Sequence, residues 1–342
     1  MGGMDIAHIK ESLIMAKLTI CITHYKEPIE ICRFLFTSLD IQHGINKSDF
    51  KVMFVNDGEE GAITREEIGD YSYEIEVHTP PHGGLSFVRN YGIEHADTDY
   101  IMFCDCDDGF IHNYGLHLMF SAIEEGFDIF YSAFIEEQPQ ENGGWKIYRR
   151  DKNQVFVHGK AYRRQFLLDK NLRFNPLLHF CEDSLFNRIA FLKSEKTKYI
   201  ETPIYLWAWN ENSTVRTGRE DIILRKYDQV MLMRTLSCRE LKAHGYMEEY
   251  QKFICGTIAD SYCDFQETLF KKPEKRILRD KAEKEFKKFY QEFSHDFMQC
   301  DSEMIGKALL QARMNAYDNG YRVEDMTFKD WLKHIKNDVK SV

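Results

Sequence analysis

The chain has 342 residues, 43% of them hydrophobic and 29% charged, with a net charge of −10 and a pI near 5.8. This composition predicts a soluble globular protein and argues against a surface coated in positive charge for indiscriminate nucleic-acid binding. The length exceeds one small core and suits one large domain with an appendage.

The first 17 residues interleave acids and bases and lack the apolar core of a signal peptide. No apolar run approaches the ~20 residues that span a bilayer. Nine cysteines are scattered without CxxC pairs, which fits a reducing compartment better than a disulfide scaffold or a zinc site. A cytoplasmic protein with no integral membrane segment is expected.

Along the chain, Leu18 to Ile22 reads as a first strand, Ile29 to Leu39 as a helix and Lys51 to Val55 as a second strand. Tyr73 to Val77 alternates and reads as a third strand, Ser86 to His95 as a short helix, and Tyr100 to Cys104 as a fourth strand. Further strands are expected over 127–134 and 145–158, with a polar loop over 136–144 between them. A helix over 183–192 and a strand over 199–207 follow. Strand–helix alternation of this kind predicts an α/β fold with a mostly parallel sheet flanked by helices.

The character changes after Arg219. Apolar residues recur at helical spacing over 222–244, 250–270 and 281–297, and more weakly over 317–335. The expected division is an α/β domain over 1–219 and an all-helical C-terminal domain over 220–342, serving binding or homo-oligomerisation. The segment 271–288 is rich in Lys and Arg. It reads as a solvated helix face with i,i+4 pairs, or as a contact for an anionic acceptor or a membrane surface.

The chemistry concentrates in the strand-end loops. Asp105-Cys106-Asp107-Asp108 places three carboxylates within four residues where the fourth strand should emerge. Carboxylates that close repel one another, and a hard divalent cation relieves the cost. Thr23-His24-Tyr25-Lys26-Glu27 follows the first strand and Asn56-Asp57-Gly58 the second, while Gly83 to Gly92 precedes the fourth. Loops at the carboxyl ends of parallel strands open on one edge, so these segments can converge on one ligand.

These segments resemble the family 2 glycosyltransferases with a GT-A fold, over roughly residues 18–216. Asp105-Cys106-Asp107 is similar to the DXD motif, and Arg89-Asn90 with Gly92 to the Arg-Asn-x-Gly helix before it. Asn56-Asp57-Gly58 resembles the base-binding turn, and Glu182-Asp183 the Glu-Asp motif. The stretch Gly159 to Arg164 followed by Leu167 and Phe174 resembles the segment leading into that motif. Trp207 to Asn210 and Ser213 to Arg216 resemble the region after it. Cys106 stands where such proteins commonly carry Ser or Ala.

The resemblance implies a UDP-sugar donor and a divalent cation, Mn2+ or Mg2+. It implies nucleotide contacts from Thr23, Tyr25, Glu27, Asp57, Arg89, Asn90, Asp105, Cys106 and Arg216. Asp57 would meet the uracil imide, and Tyr25 could stack on the ring. Asp107, with Asp105 helping, would hold the metal, and Asp108 would be a ligand or a supporting group. Asp183 would be the general base, with Glu182 orienting the acceptor, in a single displacement with inversion. The acceptor stays open among a surface glycan or polymer, a protein and modified DNA. His158 and His179 have the chemistry of metal ligands or acceptor contacts, but a lone His is more often structural, and both stay outside the assignment. Two other readings are a nucleotidyltransferase on a similar sheet and a non-catalytic sugar-nucleotide scaffold. The first would want a Gly-rich phosphate loop after the first strand, where Thr23 to Glu27 stands.

Overall fold

The computed structural model describes residues 16–140, 143–211, 222, 224–318, 320 and 326–340. The chain divides into two compact units. Residues 1–153, 157–173 and 193–209 form the first, and residues 154–156, 174–192 and 210–342 the second.

Among the described residues, the first unit is built on one nine-stranded sheet. Strands β1 (Leu18–His24), β2 (Phe50–Asn56), β3 (Glu74–His78) and β4 (Tyr100–Asp105) lie parallel in the order β3-β2-β1-β4. Every residue of β1 and β2 is buried. That is why they read as near-continuous apolar runs rather than alternating ones: a parallel strand covered on both faces has no solvent side. Helix α1 (Ile29–Asp40) buries Cys32, Leu35, Phe36 and Leu39, one stripe at helical spacing. The short α2 (Arg65–Ile68) is closed by a Thr64–Glu67 capping box. Helix α3 (Leu85–His95) precedes β4.

Beyond β4 the sheet turns mixed. Strand β5 (Gly109–Phe110) leads to helix α4 (Gly115–Ile123), β6 (Ile129–Pro139) and β7 (Trp145–Arg150). Strand β8 (Lys160–Arg163) runs antiparallel to both β4 and β6, and α5 (Arg164–Asp169) follows it. Strand β9 (Thr197–Trp207) runs parallel to β6 and antiparallel to β5.

Three expectations are corrected here. The strand expected over 145–158 ends at Arg150, and the sheet resumes only at Lys160. Its four residues are too few to show a period. The loop expected from 136 begins later, because β6 continues to Pro139 by pairing with β7. The helix expected over 317–335 is two helices, described below.

The second unit is helical. It holds α6 (Glu182–Lys193), α7 (Tyr227–Ala243), α8 (Met247–Gln266), α9 (Thr268–Lys271), α10 (Arg276–Phe297), α11 (Ser302–Asp318) and α12 (Phe328–Lys340). Its core is aromatic: Tyr250, Tyr262 and Phe265 of α8 and Phe286, Phe289 and Phe293 of α10 are buried, and Trp331 of α12 packs 5.1 Å from Phe286. Helix α11 escaped the sequence reading because it buries only Ala312 and Ala316, residues too small to mark an apolar stripe. Among the described residues no helix is long and apolar enough to cross a membrane.

Gly92 shows how tightly α3 lies on the sheet. A Cβ there would sit 2.5 Å from the Cys21 sulfur of β1. Gly92→Ala should therefore cost about 1–3 kcal/mol, read as a lowered thermal midpoint. An unchanged midpoint would mean that α3 can lift from the sheet freely.

Candidate functional site

Strand register builds the site. Thr23 at the end of β1 pairs in register with Asp105 at the end of β4, and His24 with Asn56 at the end of β2. The segments after these three strands thus leave the sheet along one edge.

Asp105 is held from two sides. Thr23 Oγ1 donates to its Oδ1 at 3.1 Å, and Arg89 Nη2 donates to the same oxygen at 3.1 Å. Arg89 is 2% exposed although it lies on α3. Burial pushes the Asp105 carboxyl up, but Arg89, His158 and Thr23 outweigh it and leave the group below the ordinary carboxylate range.

Asp108 is fully interior. Tyr205 Oη donates to its Oδ2 at 2.6 Å, and the Ala208 amide donates to its Oδ1 at 3.0 Å. The same Tyr205 hydroxyl accepts the Asp105 amide at 3.3 Å, so one side chain of β9 ties both acids together. Burial, with the charges of Asp107 and Asp105, raises Asp108 well above the ordinary range despite those bonds. His158 Nδ1 lies 3.7 Å from Asp108 Oδ2, and its ring stacks on Tyr205 at 5.0 Å and beside Trp207 at 5.0 Å.

Asp105, Asp108 and His158 each offer one ligand atom, all within 4.8 Å of one another. Two carboxylates and an imidazole are a donor set that accepts a divalent cation of the Mg2+ or Mn2+ kind. The crowding of Asp108 by like charges gives such a cation something to neutralise. Asp107 lies on the same turn, half-buried. Cys106 is 3% exposed, and its thiol is pushed up first by a hydrogen bond with the Cys32 thiol and then by burial, so it is an inert packing group.

A second cluster lies at the β2 end. Asp57 Oδ1 accepts the Gly83 and Gly84 amides at 2.8 and 3.1 Å, and Oδ2 accepts Gly84 at 3.0 Å. Gly84 caps α3 with φ +81, a conformation that favours glycine. His82, whose side chain is 61% exposed, places Nδ1 2.9 Å from Asp57 Oδ2. Its ring stacks on Tyr25 at 5.1 Å with 24° between planes. Glu27 accepts the Tyr25 amide at 2.8 Å, which shapes the turn after β1. Asn90 is half-buried on α3, one residue beyond Arg89.

Glu182 and Asp183 open α6 in the second unit. Glu182 is buried and Asp183 half-buried. The residue before them, Cys181, has φ +62, a conformation uncommon for a residue with a Cβ. Burial, and then the charges of Asp183 and Glu182, push the Cys181 thiol up to about 12. The His179 amide donates to Gln229 Oε1 of α7 at 2.8 Å. Arg216 and its neighbours Ser213 to Val215 lie outside the described residues.

The sequence reading gave His158 low rank and passed over Tyr205. The signal that could have found them is chemical rather than periodic: a His and a Tyr flanked by aromatic and β-branched residues, in the segments expected as strands over 145–158 and 199–207.

A sequence model of the family described as glycosyl transferase family 2 matches residues 19–193. The uncharacterised glycosyltransferase EpsJ of Bacillus subtilis (strain 168) is 28% identical over 187 residues, covering 48% of this chain and 54% of that protein. The chain thus spans about half the length of that relative. Among solved structures, S. aureus TarS 1–349 superposes with a TM-score of 0.59 at 17% identity, covering 91% of this chain and 94% of that one. The same protein in complex with UDP-GlcNAc gives 0.57 at 16% identity, with the same coverage.

Proposed function

The chain belongs to glycosyl transferase family 2 and has the GT-A fold, and on that premise we propose that it is a glycosyltransferase that moves a sugar from a UDP-sugar to an acceptor hydroxyl by metal-assisted single displacement with inversion. The observation that carries this reading is the convergence of Asp105, Asp108 and His158 beside Arg89 at the edge where the parallel strands end. The crystal complexes of TarS with UDP and with UDP-GlcNAc support the choice of donor class.

In this reading Asp105 is a metal ligand. Asp107, expected from the motif, and Asp108 with His158 share the remaining positions. The bound cation supplies neutralisation of charge on the diphosphate leaving group. Arg89 fixes Asp105 and keeps its carboxylate ionised. Tyr205 holds the acids in one geometry by bonding Asp108 and the Asp105 backbone at once.

The contacts of His82 support reading the Tyr25–Asp57 cluster as the base site. Its heterocycle stacks on Tyr25 and points a ring nitrogen at Asp57, the two contacts a uracil ring with its imide N–H would make. Being exposed, it can give way to the nucleotide. Thr23, Glu27, Asn90 and Cys106 shape the walls of the same site. Asp183 takes the proton from the acceptor hydroxyl, and Glu182 orients that acceptor. Residues 1–219 make the catalytic domain, and 220–342 serve the acceptor or self-association.

Calorimetric titration with UDP, with and without Mn2+, tests the donor assignment, with GDP, CDP and ADP as controls. Tight binding of UDP alone, strengthened by Mn2+, is expected. Equal binding of all four, or binding indifferent to Mn2+, would overturn it.

A further inference from the structure

Helix α11 carries large apolar side chains at its most exposed positions. It packs against α8, and its buried residues are two alanines, Ala312 and Ala316. Ile305 and Leu309 are half-buried on that same inner side. On the outer side Leu310, Met314 and Tyr317 are 62%, 52% and 80% exposed. A surface helix that serves only its own core keeps that side polar. A single exposed apolar residue is ordinary, but these three form a row.

The row has the spacing of a helix–helix seam. Glu303, Lys307, Leu310, Met314 and Tyr317 follow one another at intervals of four, three, four and three residues, and each is exposed. That alternation is the 3.5-residue repeat that keeps one stripe against a partner helix.

The charges choose the occupant and its direction. Lys307 stands in the seam, and Asp318 stands exposed at its far end, one residue past Tyr317. The two lie about 16 Å apart along the helix, too far to pair within one chain. Consider a second copy of α11 laid antiparallel, with the two-fold axis at the level of Ala312. Leu310 then meets the partner's Met314, and Met314 the partner's Leu310. Lys307 lies over the ring of the partner's Tyr317, with its ammonium beside the partner's Asp318. A parallel pair would instead set Lys307 against Lys307 in one layer, which like charge opposes. Within the chain Lys307 bonds Glu303 at 2.6 Å, but both side chains are about three-quarters exposed. Such a pair holds weakly, so Lys307 can turn to the partner.

We propose that α11 is a self-association surface, on which two copies of this chain pair antiparallel through Lys307, Leu310, Met314, Tyr317 and Asp318. This gives the self-association read for residues 220–342 a surface, and it rests on none of the donor chemistry.

Sedimentation equilibrium of the full chain at rising concentration tests it. A seam this short predicts a dimer dissociation constant on the order of 10 µM. Leu310→Glu puts a charge into the seam and should raise that constant by at least about tenfold. Lys307→Glu and Asp318→Lys should each weaken the dimer, and the two together should restore it. Because the pair cannot meet within one chain, restoration reports the contact between copies. All three positions are exposed, and the thermal midpoint and UDP titration of each variant report whether the fold and the donor site survive. A chain that stays monomeric at about 100 µM would assign the row to a different protein and overturn the proposal. A dimer indifferent to Leu310→Glu, or a charge exchange that restores nothing, would overturn it as well. Failure of UDP to bind, with the Leu310-dependent dimer intact, would instead sink only the donor reading.

Discussion

Asp183→Asn should lower kcat for sugar transfer by roughly 10^2–10^4-fold while UDP affinity stays within about twofold of wild type. The substitution keeps shape and hydrogen-bonding capacity but removes the ability to take a proton. Asp183 stands in the first turn of α6, where the helix dipole favours an ionised carboxylate, the form a base needs. The strained backbone at Cys181 fixes the entry to that turn, so the amide should occupy the same place. A loss in kcat without a loss in UDP binding is the signature of an interaction made only in the transition state. Near-wild-type transfer would show that another group is the base. A parallel loss of UDP binding would show that Asp183 supports the donor site instead. Retention of configuration at the anomeric carbon would sink single displacement itself.

Asp105→Asn should weaken the Mn2+-dependent part of UDP binding by about 10^2-fold or more, since even groups that merely orient a ligand commonly give 10–100-fold. Asn is the informative replacement, because its side-chain oxygen can still accept from Thr23 and Arg89. Asp105→Ala confounds two effects. It also removes the carboxylate that Arg89 faces at 3.1 Å in the interior, and truncating one partner of a buried pair costs about 3–5 kcal/mol. The Ala variant should therefore melt well below the Asn variant. If Asn leaves the Mn2+ dependence intact, the cation is not held at Asp105.

The parallel half of the sheet was legible because its signals are local. Residues 18–22, 51–55 and 100–104 are apolar runs closed by polar turns, and burial on both faces is what makes such runs. Helix α1 declared itself through a stripe of large residues. Helix α11 did not, because its contacts are made by alanines. Strand β8 was hidden for another reason. It exists because β4 and β6 hold it between them, and four residues carry no pattern of their own.

The candidate site divides along the same line. The sequence by itself determined the carboxylates of the acidic turn, the Asp57 turn and the Arg89-bearing helix, since each motif is contiguous and its chemistry follows from residue type and spacing. Only the tertiary structure decided that Asp108 and His158 join Asp105, and that Tyr205, 97 residues beyond Asp108, bonds both acids. Tyr205 lies on β9, whose position depends on pairing with β6 and β5, and His158 lies in the turn that enters β8, which β4 and β6 hold between them. Pairing between distant segments is set by the register of the whole sheet, which no local window of sequence contains.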